Sequence, residues 1–320
     1  MDNNTLIAIG EALIDFIPDK RGCSFDEVTA FAPKLGGAPA NVCGAYAKLG
    51  GKSRMLTQLG NDPFGHKIMK ELEEYGVDTS CISLTDRANT ALAFVSLNAD
   101  GGRTFSFYRK PSADMLYTPA NISENAFKDA YALHFCSVSL GDFPMKEAHR
   151  HAIAEIKKCG GLVSFDPNLR FQLWENHEAL KKTVLEFLPL AHILKLSDEE
   201  LEFITGKNNI EDALPDLFIG SVKMVIYTCG KCGAHAYTKN NSAHSPARKV
   251  DVLDTTGAGD GFIGSFLWML NRAGINAGNI ENIHESTLRE CLDFSNEFCT
   301  RSVQKAGAID SYPDMSDYTI

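Results

Sequence analysis

The sequence has no excess of positive charge: among its 320 residues, 31 lysines and arginines stand against 41 aspartates and glutamates, for a net charge of −10. With no basic run either, nonspecific binding to nucleic acid or to an anionic membrane is disfavoured, and any polyanion must be met by a local site. No apolar run reaches membrane-spanning length, and Met1-Asp2-Asn3-Asn4-Thr5 is not a basic segment leading into an apolar one. The expectation is a cytoplasmic protein. A disulfide framework is missing too, since nine scattered cysteines fit reduced thiols better. Cys229-Gly-Lys-Cys232 is the one close pair; alone it is half a metal site or a redox pair, yet no second Cys/His pair of matching spacing accompanies it. Pro/Ser-rich linkers, internal repeats and low-complexity tracts are absent, so the chain reads as a single domain over 1–320. The first apolar run is followed by Gly10-Glu11-Ala12 and not by Gly-x-Gly-x-x-Gly, which disfavours a nicotinamide dehydrogenase.

What is present is an ordinary globular hydrophobic content of 44% and a regular rhythm. Apolar runs at Leu6 to Ile9, Met55 to Leu59, Ala132 to Phe135, Leu162 to Phe165, His192 to Leu196 and Met224 to Thr228 suit buried parallel strands. Between them lie helical patterns at Ala38 to Leu49, Gly65 to Tyr75, Lys146 to Lys158, Glu178 to Leu188 and Asp198 to Thr205. This βαβ repetition predicts an α/β fold, a three-layer α/β/α sandwich around a mainly parallel sheet. Two strand-like insertions, approximately 12–35 and 88–112, break the rhythm. In the second, Ala91 to Leu97 and Arg103 to Tyr108 flank a glycine turn at Asn98 to Gly102, a β-hairpin pattern. Paired together, the insertions would form a discontinuous β lid over the C-terminal edge of the sheet.

Two glycine clusters carry the chemistry. Near the C-terminal third, Gly257, Ala258 and Gly259 have little or no side chain and open an apolar helix, so their N–H groups can converge on an anion where the helix dipole adds positive charge. Asp260 follows in the first turn. A carboxylate beside an anion hole repels phosphate unless it serves the hydroxyl attacking that phosphate, which points to phosphoryl transfer to an alcohol. With an ordinary carboxylate pKa it would be a weak base that mainly orients the nucleophile. Helix capping by Asp254 or Asp260 is the alternative. Near the start, Gly36-Gly37 permits close backbone approach, Pro39 suits a first helical turn, and Asn41 can present its amide to a polyol hydroxyl or bond locally. Asp15 lies just beyond the first strand, on the side where open α/β sheets bind ligands.

Taken in order, Gly36-Gly-Ala-Pro-Ala-Asn41 and Asp254-Thr-Thr-Gly-Ala-Gly-Asp260 resemble the ribokinase-like (PfkB) family of sugar kinases, over essentially the whole chain. Gly10-Glu-Ala-Leu-Ile-Asp-Phe16, Phe107-Tyr-Arg-Lys-Pro-Ser-Ala-Asp114 and Asp166-Pro-Asn-Leu-Arg170 are most similar to its fructokinase branch. The resemblance implies ATP-dependent phosphorylation of a sugar, with D-fructose to fructose 6-phosphate the leading reaction. The alternatives are 2-keto-3-deoxygluconate kinase, because Tyr108-Arg109 and Ser112-Ala113 also resemble that branch, another PfkB sugar kinase, and more remotely a noncatalytic sugar sensor.

By the same resemblance, Asp260 is the base and Gly257, Ala258 and Gly259 hold the transferring phosphoryl. Asp15, Gly36, Gly37 and Asn41 would hold sugar hydroxyls, with Phe107 and Arg109 reaching from the lid and Arg170 approaching sugar or phosphate. For Arg109 the alternative is solvation at the surface; for Arg170, bracing a turn. Thr228, Gly230 and Gly233 resemble a Thr-x-Gly-x-x-Gly nucleotide turn, making Cys229 and Cys232 loop occupants. Asn296 matches a position near adenine, or else is an exposed helix residue. Glu200 would reach magnesium through water, although Ser197 stands where many relatives have asparagine, and Ser197 with Glu200 is also a capping box. Asp254 and the Thr256 carbonyl resemble part of a monovalent-cation site, so potassium stimulation is expected. The implied partners are a small sugar and ATP, with the lid available for a homodimer.

Overall fold

The computed structural model describes residues 4–20, 22–97 and 103–318. In chain order its strands are β1 (Thr5–Ile9), β2 (Leu13–Pro18), β3 (Phe31–Gly36), β4 (Lys52–Gly60), β5 (Val77–Asp78), β6 (Ile82–Thr85), β7 (Leu92–Leu97), β8 (Arg103–Tyr108), β9 (Ala130–Cys136), β10 (Leu162–Asp166), β11 (Ile193–Ser197), β12 (Met224–Thr228), β13 (Ala234–Thr238) and β14 (Ser242–Ser245). The helices are α1 (Ala38–Lys48), α2 (Pro63–Glu74), α3 (Met145–Lys158), α4 (His177–Phe187), α5 (Asp198–Thr205), α6 (Ile210–Leu217), α7 (Ala258–Arg272) and α8 (Glu285–Ser302).

Period-two alternation in the central strands divides the core. Leu6 and Ala8 of β1 point into one apolar cluster with α1, α7 and α8, while Ile7 and Ile9 point into another with α3, α4 and α5. Strands buried on both faces explain the continuous apolar runs and give the three layers. The large sheet runs β14-β13-β12-β11-β10-β9-β1-β4-β5, with β6 also on β4. From β12 to β5 the neighbours are parallel; β13 and β14 continue the sheet antiparallel. The fold is therefore the expected α/β architecture. The shifts are at element ends: α2 starts two residues before the expected Gly65, because Asp62 accepts from Phe64 N at 3.0 Å and Gly65 N at 2.8 Å while Pro63 fits the first turn.

The two insertions form a separate four-stranded sheet, β3-β2-β7-β8. Its two faces differ. Leu13, Ala91, Ala93, Phe105 and Phe107 cluster on one, whereas Phe16, Phe31, Phe94 and Tyr108 pack together on the other. β7 and β8 pair antiparallel from Leu92↔Tyr108 to Leu97↔Arg103, as a hairpin requires; the glycine turn expected at Asn98 to Gly102 lies outside the described residues.

Helices α1 and α7 cross at small residues. A Cβ added to Gly264 of α7 would stand 2.7 Å from Ala45 Cβ and 3.0 Å from Val42 O of α1. Gly264→Val is expected to force the helices apart at a cost of about 1–3 kcal/mol, measured as a lowered urea midpoint with an unchanged m-value.

Candidate active site

The C-terminal ends of the parallel strands and the face of the small sheet that carries Leu13, Phe105 and Phe107 enclose a cleft of about 540 Å³ including its open mouth. Its lining includes Glu11, Asp15, Gly37, Asn41, Phe105, Phe107, Asn168, Arg170, Thr256, Gly257 and Asp260. Residues from the first quarter and the last third of the chain thus meet at the strand ends, where an open α/β sheet leaves room for a ligand.

The centre is Asp260, in the first turn of α7. Its carboxylate Oδ2 accepts from Asn41 Nδ2 at 2.8 Å, while Asn41 Oδ1 is buried without a partner. The asparagine therefore has one end committed to Asp260 and an acceptor left over. Burial pushes the Asp260 carboxyl up to about 7; the Asn41 hydrogen bond opposes this, and the negative charge of Asp166 adds to it. That corrects the expectation of an ordinary, weakly basic carboxylate: removal from water makes it a base matched to neutral pH.

At the start of α7, Gly257 caps the helix with φ +72°, a left-handed conformation that a glycine adopts without strain, and Ala258 begins the helix proper. Tyr312 Oη donates to Gly257 O at 2.7 Å, pinning the turn from behind. Just upstream, Asp254 Oδ1 accepts from Thr256 N at 2.8 Å and Thr256 Oγ1 at 2.6 Å, and Oδ2 accepts from Gly307 N at 2.9 Å. Asp254 thus ties this loop to the segment after α8. Gly37 has φ +104°, and a side chain there would meet Glu11 O at 2.6 Å. Only glycine lets α1 begin so close to the end of β1. Gly36 is covered by the Asp15 carboxylate, which occupies the space a Cβ would need.

Close to the turn that opens α7 lies a buried cation. Lys195 Nζ bonds Asp166 Oδ2 at 2.6 Å, and a Cβ on Gly259 would stand 3.2 Å from that ammonium. Burial alone would lower the Lys195 ammonium, but Asp166 and Glu200 outweigh it and hold it above the usual lysine value. Glu200 is buried, accepting from Leu169 N and Ser197 N at 2.9 Å each. So the capping box is formed, and the same carboxylate fixes the loop after β10. A carboxylate has about four acceptor positions, so one backbone bond per oxygen leaves capacity for water on a cation. Among the described residues no group of three or more His, Cys, Asp or Glu is arranged to hold a metal ion.

Arg109 departs from the expectation. It neither lines the cleft nor lies solvated, being 5% exposed with its guanidinium paired to Asp114 through Nε (3.0 Å) and Nη2. It also donates to Val138 O at 3.1 Å and Ser139 Oγ at 3.2 Å. Ser139 Oγ in turn donates to Glu11 Oε2 at 2.7 Å. Glu11 and Arg109 sit on the two crossings between the sheets, next to β1 and β8, and a hydroxyl joins them. The physical reason is that a guanidinium so deeply buried needs a carboxylate, and Asp114 is supplied five residues later. Arg170 does line the cleft, with Nη1 on Leu169 O at 2.9 Å, combining the turn-bracing alternative with exposure to the cavity.

On the other side, Thr228 ends β12, beside Ser197 at the end of β11. Gly230 and Gly233 follow in a tight turn, with φ +48° and +98°. Asn296 is buried, not exposed on its helix: Nδ2 donates to Ser245 O and Oγ at 2.9 Å each, against the same Ser245 carbonyl that Gly233 approaches. Thr228, Gly230, Gly233 and Asn296 are not among the residues that line the cleft. Glu11 and Lys195 were not picked out from sequence as site residues; a lysine inside the apolar run His192 to Leu196 is the signal that could have found the second.

The residues 3–315 match the model of the pfkB family carbohydrate kinases. The chain is 40% identical to fructokinase-2 of Zea mays over 317 residues, covering 98% of this chain and 92% of that one. The fructokinase of Xylella fastidiosa with bound ATP superposes with a TM-score of 0.91 at 32% identity, covering 99% and 97% of the two chains. The fructokinase of Vibrio cholerae O395 in its fructose, ADP and calcium ion bound form gives 0.86 at 32% identity, covering 99% and 98%. This protein belongs to the pfkB family of carbohydrate kinases.

Two variants probe the site's electrostatics. Asp114→Ala leaves the Arg109 charge buried and unpaired and is expected to cost about 3–5 kcal/mol in urea unfolding. For Asp260, whose folded pKa is raised, the neutral form is favoured; that stability is full below the unfolded value near 4 and is lost as pH rises through about 7. Asp260→Asn should therefore raise the Tm at pH 8 and leave it nearly unchanged at pH 4.

Proposed function

We propose that the protein is a fructokinase, transferring the γ-phosphoryl group of ATP to D-fructose to give fructose 6-phosphate. The observation that carries this reading is the buried Asp260 carboxylate, raised to about 7, lying one residue past Gly259 in the first turn of α7. A sugar hydroxyl placed against Asp260 would sit beside the phosphoryl held by Gly257, Ala258 and Gly259. As the hydroxyl oxygen attacks phosphorus, its proton passes to Asp260 and the bond to the β-phosphate oxygen breaks. Fixed amides and the Lys195 ammonium stabilise the charge on the transferring group, which is where such catalysis gains most.

Sugar recognition falls to Asp15, Gly37 and the unpartnered Asn41 Oδ1, with Phe107 and Phe105 forming an apolar wall and Arg170 closing the floor. Among the described residues of the small sheet no cation lines the cleft, Arg109 being paired with Asp114, which favours a neutral sugar over the keto-acid alternative. ATP would lie along Thr228, Gly230 and Gly233 with adenine toward Asn296, its phosphates running to α7. Magnesium, held by the phosphates and through water by Glu200, would neutralise part of their charge. Asp254 and the Thr256 carbonyl would border a potassium ion beside the turn. The small sheet acts as a lid that excludes water, and its outer face, with Phe25 and Tyr108 52% and 65% exposed, offers an apolar surface to a second copy. A cytoplasmic location agrees with this chemistry.

Coupled ADP release with Mg-ATP tests the reading against D-fructose, 2-keto-3-deoxygluconate, ribose, adenosine and glucose, each with and without potassium. Preference for fructose is expected; turnover on the keto-acid alone would move the substrate, and silence throughout would overturn the activity. kcat/KM should fall about tenfold per pH unit below 7, because only the unprotonated Asp260 can accept the proton. Asp260→Asn should lower kcat by about 10²–10⁴, with ATP binding retained by calorimetry.

A further inference from the structure

We propose that Cys229 and Cys232 form a reversible dithiol–disulfide site on the turn between β12 and β13, which the nucleotide reading above places against ATP. The turn closes on itself: Cys232 N donates to Cys229 O at 2.9 Å, and Cys229 N donates to Gly233 O at 2.8 Å. A bond between residues i and i+3 holds their Cα atoms within about 7 Å, and a disulfide spans roughly 4.4–6.8 Å. The Cys232 side chain is also near enough for its charge to raise the Cys229 thiol. Cys291 and Cys299, the nearest other pair in sequence, sit about two turns apart on α8. With no group of three or more metal-ligating side chains among the described residues, zinc is a poor occupant.

The two thiols differ in a way that orders the chemistry. Cys232 is exposed, whereas Cys229 is half-buried and held above the usual thiol value by burial and by Asp198. The Cys232 thiolate would attack one sulfur of a low-molecular-weight disulfide such as oxidised glutathione, breaking its S–S bond and expelling one glutathione thiolate. Cys229 then loses its proton and attacks the Cys232 sulfur, expelling the second thiolate. Two electrons pass from the protein to glutathione, and the two thiol protons end on the two glutathione thiols. Such transient disulfides are the form in which cytosolic proteins sense redox state.

The chain contains its own readout. Trypsin cuts after Lys223, Lys231 and Lys239, so Cys229 and Cys232 fall on separate peptides, 224–231 and 232–239, that stay joined only by a disulfide. The full-length protein is equilibrated in mixtures of oxidised and reduced glutathione, its free thiols alkylated under denaturing conditions, then digested and weighed. Joined peptides are expected in oxidising mixtures, absent after dithiothreitol and absent in Cys229→Ser and Cys232→Ser. Peptides that remain separate in the most oxidising mixture, or Cys232 carrying only glutathione, would overturn the site. In the oxidised protein the KM for ATP should rise about fivefold or more, with the KM for fructose unmoved and both restored on reduction. Joined peptides with an unchanged KM for ATP would uphold the disulfide and defeat the placement of this turn against the nucleotide.

Discussion

The structure depends on one contact made possible by close packing: Asn41 of α1 reaching Asp260 of α7 at 2.8 Å. The two side chains are buried and come from residues 219 apart in sequence, so the contact exists only because α1 and α7 cross at Gly264 and Ala45. Widening that crossing would separate the pair. Asp260 would then gain water, and with it an ordinary carboxylate pKa, which is a change in chemistry produced by a change in packing. The glycines at each end serve the same geometry, Gly37 by letting α1 start against the end of β1 and Gly257 by turning the chain into α7.

Around that contact the charges are arranged by depth. Lys195 and Asp166 form a pair on adjacent parallel strands, below the turn, where the protein interior strengthens the field at the α7 N-terminus. Glu200 stands at the side, holding the backbone of the loop that carries Arg170. Arg109, Asp114, Ser139 and Glu11 occupy the seam between the two sheets. Each group is hydrogen-bonded or ion-paired in the dry interior, which spares the protein an isolated buried charge; burial still raises the proton affinity of Glu11, and it pushes Asp260 up to about 7.

Much of the scaffold was legible because its signals are local. Runs such as Leu6 to Ile9 are apolar on both faces because both faces are covered, and the strands formed where those runs lie. The two glycine clusters were legible for a similar reason: the backbone constraint sits within a few residues. What escaped is what distant segments impose on one another. Arg109 and Asp114 are close in sequence, but that the arginine would turn inward, toward Val138 and Ser139, depends on β9 arriving beneath it. The burial that raises Asp260 is a property of the assembled cleft, and β13 and β14, short and alternating, gave no long apolar run to read.

The small sheet has a further property in the way it ends. β3 is an edge strand, and it carries Pro33 and Lys34. Proline removes a backbone donor from the exposed ladder and lysine adds a charge beside it, two devices that stop one sheet from extending into another. Growth of a continuous intermolecular sheet is thereby blocked along this border, while the aromatic face, built on Phe16, Phe31 and Phe94, carries no such guard. Along β3, then, the sheet is built against the open-ended strand addition that leads to fibres.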